Sequence, residues 1–317
     1  MGRRLPIKVL LAGCDPEVQL RVAPALVKVA QGRTDQVALA AVYGALSGHV
    51  QSAGEAFGFP ARSTDLDELF KTVAPGAVVC ALPADQAAAV LSRGAPTILL
   101  PPLGKSLDDL LALSEAARQS TAAHMAAMTR RFSPYLCRAV QWARQLGEIH
   151  SVRAHLKTPG EMDGAFVWAG AVHAIDAMAN ILGRVEGFQL QRPDGPVAGA
   201  TVTLRFATQT QGQLELAGRA DHTEESYEII GDGFQAVVVL EALAGPSMQC
   251  WRGPKIEVRI QAPPGEPAVE HDGTCEALSA FFDALIAEKR PSPALEDVLP
   301  AFDLSHRLAA ELTPVVA

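Results

Sequence analysis

About the first 120 residues alternate short apolar runs with amphipathic segments. Short apolar runs between turn residues are typical of buried strands, and apolar positions spaced three and four apart are typical of helices. Strands are predicted over 7–12, 37–43, 76–82 and 96–100, and helices over 16–31, 48–57, 85–93 and 107–118. This strict alternation predicts a parallel sheet with crossover helices.

The pattern changes near residue 125. The predicted elements are then a strand near 125–129, a helix over 134–146, a strand over 150–157, a helix over 170–182, mostly strands from 197 to 261, and helices over 274–288 and 295–311. Apolar–polar alternation in TVTLRF and QLELA predicts a sheet with one covered face. We therefore predict an α/β fold with a Rossmann-like, parallel-sheet domain over 1–125. An α+β domain with a large, mainly antiparallel open sheet follows over 126–317.

Composition and charge narrow the class of protein. Apolar residues make up 49% of the 317 and charged residues 20%, which predicts a globular protein with a substantial core. A net charge of −8 without a basic block argues against nucleic acid as a partner. Five scattered cysteines without a C-x-x-C pair favour reduced thiols over a disulfide frame or a metal site. Since no apolar run suits a signal peptide or a membrane span, we expect a cytoplasmic protein without membrane contact.

Five segments, taken in order, are informative together. They are RRFSPY (130–135), QLGEIHSVRAH (145–155), AVHAIDAMANILG (171–183), EIIGDGFQAVV (228–238) and CEALSAFFDALIAEKRPSP (275–293). Their order and spacing resemble the Gfo/Idh/MocA family, named after glucose-fructose oxidoreductase and inositol dehydrogenase. The resemblance implies NAD or NADP as cofactor and a small-molecule ligand in a cleft between the domains. It also implies a homodimer or homotetramer that pairs through the open sheet face.

The turn after the first strand, GCDPEV, departs from the pattern G-x-G-x-x-G. Gly13 keeps the first glycine, whereas Asp15 and Val18 stand at the third and sixth positions. Glycines there let the backbone approach a pyrophosphate, whose charge rests on free N–H groups of the helix. Asp15 followed by Pro16 is instead a good N-cap and first-turn pair. We expect a self-capped helix, and a dinucleotide bound in a shifted pose is the alternative.

The resemblance places further cofactor contacts at the ends of the strands. They are Cys14 in the same turn, Tyr43 at the end of the second strand, Leu82 and Pro83 after the third, and Pro101 after the fourth. The family's ribose-binding acid would stand near Tyr43 and Gly44, where this chain has none, and the family's lysine is replaced by Pro101. Lys105 could reach the site through a rearranged loop. We favour a solvated Lys105 beside a Ser106 helix cap.

His173 is the main candidate for chemistry. A histidine can transfer protons near neutral pH, although a hydrogen-bonded histidine in the interdomain packing is an equal alternative. The aspartate that the family often has four residues earlier is Ala169 here. Asp176 lies one turn later on the same predicted helix face, and we expect it to orient His173 or to pair with a cation.

These residues leave three functions open. The first is a divergent NAD(P)-dependent oxidoreductase acting on a sugar-like or other small polyol or carbonyl substrate, with His173, Asp176 and Lys105 as catalytic residues. The second is a redox-inactive ligand-binding or regulatory protein, which the loss of most cofactor contacts favours. The third is a cofactor-free lyase, isomerase or cyclase with His173 as its acid–base group.

Overall fold

A computed structural model describes residues 5–192 and 199–312. It contains a six-stranded parallel sheet in the order β3-β2-β1-β4-β5-β6. The strands are β1 (Ile7–Ala12), β2 (Val37–Tyr43), β3 (Ala61–Ser63), β4 (Ala77–Cys80), β5 (Thr97–Leu99) and β6 (His124–Ala126). The helices between them are α1 (Pro16–Gln31), α2 (Ser47–Phe57), α3 (Leu66–Val73), α4 (Ala84–Leu91) and α5 (Leu107–Gln119). This strand order is that of a dinucleotide-binding fold, so the predicted Rossmann-like sheet is confirmed.

A second sheet has eight strands in the order β14-β13-β12-β11-β7-β10-β9-β8. They are β7 (Ile149–Lys157), β8 (Val185–Gln191), β9 (Gly199–Phe206), β10 (Gln211–Ala217), β11 (Glu224–Gly231), β12 (Phe234–Glu241), β13 (Ser247–Arg252) and β14 (Lys255–Gln261). Among these described strands, β7 and β10 are parallel and every other neighbouring pair is antiparallel. The predicted large, mainly antiparallel sheet is therefore confirmed. Residues 193–198, where the predicted strand region begins, lie outside the described residues.

The remaining elements surround this second sheet or close the chain. They are a 3-10 turn (Thr129–Phe132), α6 (Pro134–Leu146), α7 (Gly164–Phe166), a π-helical turn (Val167–Ala171), α8 (Val172–Leu182), a second 3-10 turn (Ala268–Glu270), α9 (Thr274–Ile286) and α10 (Leu295–Leu312). The prediction of a strand near 125–129 is wrong for residues 127–129. β6 ends at Ala126, and the chain turns into the 3-10 turn at Thr129.

Burial follows the two sheet types. Val9 to Ala12 are fully buried along β1, as expected of a parallel strand covered on both faces. On β7, Val152 and Ala154 are buried whereas Arg153 between them is exposed. One face of the second sheet is thus covered, as its alternation predicts.

The chain divides into two compact units. Unit 1 comprises residues 1–128 and 274–298, and unit 2 comprises 129–273 and 299–317. The sequence predicts one domain boundary, between residues 125 and 126. In the structure, residues 274–298 belong to unit 1 as well. This assignment has a physical basis, because α9 packs against α1 and Arg33 pairs with Asp283 at 2.9 Å.

Candidate functional site

The turn between β1 and α1 needs its glycine for backbone packing. Gly13 has φ 106°, and a Cβ placed on it would lie 2.5 Å from the carbonyl oxygen of Ala81. Its N–H donates to the Tyr43 carbonyl at 2.9 Å. No other residue fits this position without moving the neighbouring strand ends. The glycine is therefore explained by the fold alone.

The same turn closes the N-terminus of α1 with its own carboxylate. Asp15 has extended backbone angles, and its Oδ1 accepts the Val18 N–H at 2.9 Å. The predicted Asp15 cap followed by Pro16 is confirmed. Glu17 adds a second carboxylate in the first helical turn. Two carboxylates stabilise the helix dipole, and they repel a pyrophosphate at the same place.

At the end of β2, the Cys14 side chain occupies the space next to Gly44. Gly44 is buried, and a Cβ placed on it would collide with Sγ of Cys14 and lie 3.2 Å from Val50 Cγ2. An aspartate or glutamate at position 44 therefore requires that the Cys14 side chain be displaced. Cys14 is buried, and burial together with Asp15 raises the pKa of its thiol to about 11, so this sulfur is neutral.

The other predicted cofactor positions offer few polar groups. Leu82 is half-exposed and Pro83 exposed where the chain enters α4, and Pro101 is half-buried after β5. Neither proline can donate a backbone hydrogen bond.

Lys105 belongs to the cap of α5. Its backbone N–H donates to Asp109 Oδ2 at 2.8 Å, and Ser106 Oγ accepts the Asp109 N–H at 3.1 Å. The residue is exposed, as expected of a solvated Lys105 beside the Ser106 cap.

A nicotinamide dinucleotide does not fit these residues. The pyrophosphate position carries Asp15 and Glu17, the end of β2 has no acid at Tyr43 or Gly44 to hold a ribose, and Pro101 stands where the resemblance implies a lysine. Of the usual contacts, the tight turn at Gly13 is retained. We therefore derive no hydride transfer through unit 1.

In unit 2, His173 stands in the first turn of α8, directly after the π-helical turn. Its side chain is half-buried, and its Nδ1 is buried without a hydrogen-bond partner among the described residues. Burial and the Arg130 charge lower the pKa of His173 to about 4, and Glu225 partly opposes the shift. The ring is therefore neutral at pH 7, with one nitrogen as donor and the other as acceptor.

Beside His173 lies a buried ion pair, because α8 packs against the turn that carries Arg130. Arg130 donates to both carboxylate oxygens of Glu225, at 2.7 and 2.6 Å. The Tyr227 hydroxyl donates to the same carboxylate at 2.7 Å. Arg130 and Tyr227 lower the pKa of Glu225 against the opposing effect of burial. Sequence reasoning missed this cluster, whose one visible signal is Arg130, the first arginine of RRFSPY.

Asp176 forms a second ion pair and does not bond to His173. Both of its oxygens accept from Arg131, each at 2.6 Å, and the residue is 1% exposed. This is the cation-pairing arrangement that the sequence left open. Burial raises the pKa of Asp176, and the hydrogen bonds from Arg131 oppose the rise. A direct catalytic role for Asp176 stays a prediction, and this geometry gives it a positioning role through Arg131.

The π-helical turn before His173 also contains Ala169, at the position where the resemblance implies an aspartate. Such turns are rare and are found often at functional sites. Trp168 in this turn is buried and packs edge-on against Phe302, with ring centroids 5.3 Å apart. The aromatic contact anchors the turn within unit 2.

Two absences concern the described part of the chain. Residues 5–192 and 199–312 contain no group of three or more His, Cys, Asp or Glu residues that could hold a metal ion. No helix within those ranges is both long and apolar enough to cross a membrane.

Solved structures share this fold over nearly the whole chain. A dehydrogenase from Chromobacterium violaceum is 18% identical with a TM-score of 0.79, covering 97% of this chain and 96% of that one. KijD10, a 3-ketoreductase from Actinomadura kijaniata solved with TDP-benzene and NADP, is 21% identical with a TM-score of 0.72, covering 95% and 96%. An oxidoreductase from Agrobacterium radiobacter, in complex with NAD+, L-tartaric acid and magnesium, is 16% identical with a TM-score of 0.74, covering 96% of each.

These likenesses establish the two-part fold of NAD(P)-dependent dehydrogenases for this chain. No protein-family model matches the sequence, and no curated protein matches it. Membership of the Gfo/Idh/MocA family therefore stays a prediction from the resemblance.

Proposed function

We propose that the protein binds a small polyhydroxylated or carbonyl ligand at His173 and does not transfer hydride. The observation that carries the proposal is the buried Nδ1 of His173, which has no partner among the described residues. A buried polar atom without a partner costs free energy unless a ligand or water satisfies it. The ring is half-buried, so the ligand would reach Nδ1 through the part of the ring that is accessible.

The ligand class follows from the charge of the ring. A neutral imidazole donates one hydrogen bond and accepts another, which suits hydroxyl and carbonyl groups. The neighbouring charges of Arg130 and Glu225 are already paired with each other. A neutral, sugar-like molecule therefore matches the site better than an ion does.

Unit 1 supports the redox-inactive part of the proposal. Asp15 accepts the Val18 N–H that a phosphate would otherwise meet, and the Cys14 sulfur lies where an acid at position 44 would have to be placed.

An NAD(P)-dependent oxidoreductase acting on a sugar-like or small polyol or carbonyl substrate is the second candidate. It is favoured by the strand order and by neighbours such as KijD10, which was solved with NADP. It requires a dinucleotide bound in a shifted pose. A cofactor-free lyase, isomerase or cyclase using His173 would need the same ligand site and turnover without cofactor.

Two titrations separate these functions. Calorimetry of the full chain with NADH and NADPH, after checking that no cofactor co-purifies, should show no binding up to millimolar concentration. Saturation-transfer NMR with D-glucose, D-fructose and myo-inositol should show binding that His173→Asn abolishes. His150→Asn, at an exposed histidine on β7, is the matched control and should leave binding unchanged.

Three outcomes would overturn the proposal. Micromolar nicotinamide binding with polyol oxidation would establish the oxidoreductase. Turnover of a sugar without cofactor, lost in His173→Asn, would establish the third function. Equal sugar binding in the wild type and His173→Asn would remove His173 from the site.

We further propose that the protein is a homodimer or homotetramer. The open face of the second sheet carries half-buried apolar side chains on its central and outer strands, among them Ile230, Val237, Val239 and Trp251. Such a face is stabilised when a second copy covers it. Light scattering should give at least twice the chain mass at micromolar concentration, and a monomer would contradict this.

A further inference from the structure

A groove runs between α6 and α8, and all of its lining belongs to unit 2. Its volume is about 530 Å³, within the usual range for small-molecule sites. Aliphatic side chains of both helices form part of its wall. Its polar lining consists of three arginines and three amides: Arg130, Arg131, Arg144, Gln141, Gln145 and Asn180.

The positive charge of the groove comes from Arg144. Arg130 and Arg131 are each paired with a carboxylate outside the lining, Glu225 and Asp176, so their charges are largely neutralised. Arg144 is exposed and donates to the Ile181 carbonyl at 3.3 Å, and no carboxylate pairs with it among the described residues. The lining contains no acidic side chain, whereas the whole chain carries a net charge of −8.

We propose that this groove binds a small anion, a phosphate or carboxylate carried on a short apolar body. The Arg144 guanidinium can bind either anion through charge-assisted hydrogen bonds, and the amides of Gln141, Gln145 and Asn180 add neutral donors. The aliphatic wall accounts for the apolar body. This site goes beyond the proposed function, because His173 does not line the groove and a neutral sugar needs none of its arginines.

Cys137 provides a chemical probe for ligand binding in the groove. Of the five cysteines it is the exposed one, and the other four are buried. It lines the groove, and its thiol donates to the Arg131 carbonyl at 3.0 Å. The rate of its alkylation therefore reports on the groove in the intact protein.

The first test follows alkylation of Cys137 by mass spectrometry. Iodoacetate is an anion and iodoacetamide is neutral, so their rate ratio at Cys137 should exceed the ratio for free glutathione. The excess should shrink in high salt, because exposed charges are screened. Phenyl phosphate and benzoate should slow the iodoacetamide reaction, and phenol at the same concentration should not. A difference between phenyl phosphate and benzoate would show which anion is preferred.

Variants assign the effect to the groove. Arg144→Gln should weaken protection by phenyl phosphate about tenfold, since it removes a charged hydrogen-bond donor. Asn180→Asp, a nearly isosteric change that adds a negative charge at the rim, should abolish protection. Arg138→Gln removes an equal charge from an exposed position of α6 outside the lining and is the matched control.

Equal protection by phenol and phenyl phosphate would overturn the proposal. Equal loss in Arg144→Gln and Arg138→Gln would also overturn it, because the effect would then be one of overall charge. Since sugar binding is measured with neutral probes and His173→Asn, failure of either site is recognised independently of the other.

Discussion

The turn after β1 and the surroundings of His173 differ in whether their polar groups have partners within the protein. In the turn, Asp15 accepts the helix N–H that a phosphate would have met, and the Cys14 sulfur fills the space beside Gly44. At α8, the neighbouring charges are fully paired while one nitrogen of His173 has no partner among the described residues. Buried polar groups in folded proteins usually have partners, so the unpartnered nitrogen beside these paired charges is where the proposed ligand, or a water, would bind.

The largest expected effect concerns the contribution of the Arg130–Glu225 ion pair to stability. Glu225→Gln leaves the half-buried Arg130 without its countercharge and should lower the free energy of unfolding of unit 2 by about 2–4 kcal/mol. All three tryptophans, Trp142, Trp168 and Trp251, lie in unit 2, so their fluorescence in urea follows this unit.

Tyr227→Phe is the control for Glu225→Gln. It removes one hydrogen bond to the carboxylate and keeps the ion pair, so a loss of about 1 kcal/mol is expected. Equal losses in the two variants would mean that the ion pair does not dominate this cluster.

The second prediction concerns His173 and the pH dependence of stability. The pKa of His173 is about 4 in the folded protein and near 6.5 in the unfolded chain. Between these values the unfolded chain binds a proton that the folded protein does not. The free energy of unfolding should therefore be fully retained above pH 6.5 and fall as the pH drops toward 4, by up to roughly 3 kcal/mol.

His173→Gln should flatten that part of the pH profile, measured by tryptophan fluorescence in urea. The exposed His150 provides the comparison, and His150→Gln should keep the slope. An unchanged slope in His173→Gln would mean that other groups cause it, and that His173 is not held neutral by its surroundings.

The features that could be predicted from the sequence are those that depend on residues close together along the chain. The Asp15 cap depends on adjacent residues, and the two sheets follow from alternation over neighbouring positions. The three-residue β3 is too short to leave a periodic signal. Arg130 and Glu225 are 95 residues apart, and their pairing depends on how the 3-10 turn and β11 come together. Likewise, the absence of an acid at Gly44 is visible in the sequence, but the Cys14 sulfur that prevents one is visible only in the fold.

The third prediction tests whether Cys14 and Gly44 are coupled. Gly44→Asp should lower the free energy of unfolding by about 1–3 kcal/mol, because the new side chain collides with Sγ of Cys14. Cys14→Ala removes the sulfur and leaves Cβ at 3.8 Å from the new atom, so the double variant should recover much of the loss. Helix circular dichroism in urea would measure it. Additive losses would show that the sulfur is not the obstacle.

The smallest effect concerns the helix cap and is the sharpest test of the comparison. Asp15→Ala should cost about 1 kcal/mol of stability because Val18 N–H loses its acceptor, whereas Asp15→Asn keeps an acceptor and removes the charge. If the carboxylate alone excludes a dinucleotide, Asp15→Asn should gain NADH affinity in calorimetry at nearly unchanged stability. If several residues of the turn exclude the dinucleotide together, Asp15→Asn alone should still not bind NADH. Binding should then require Asp15→Asn combined with Cys14→Ala and Gly44→Asp. We expect the second result, because the collision at Gly44 does not depend on Asp15.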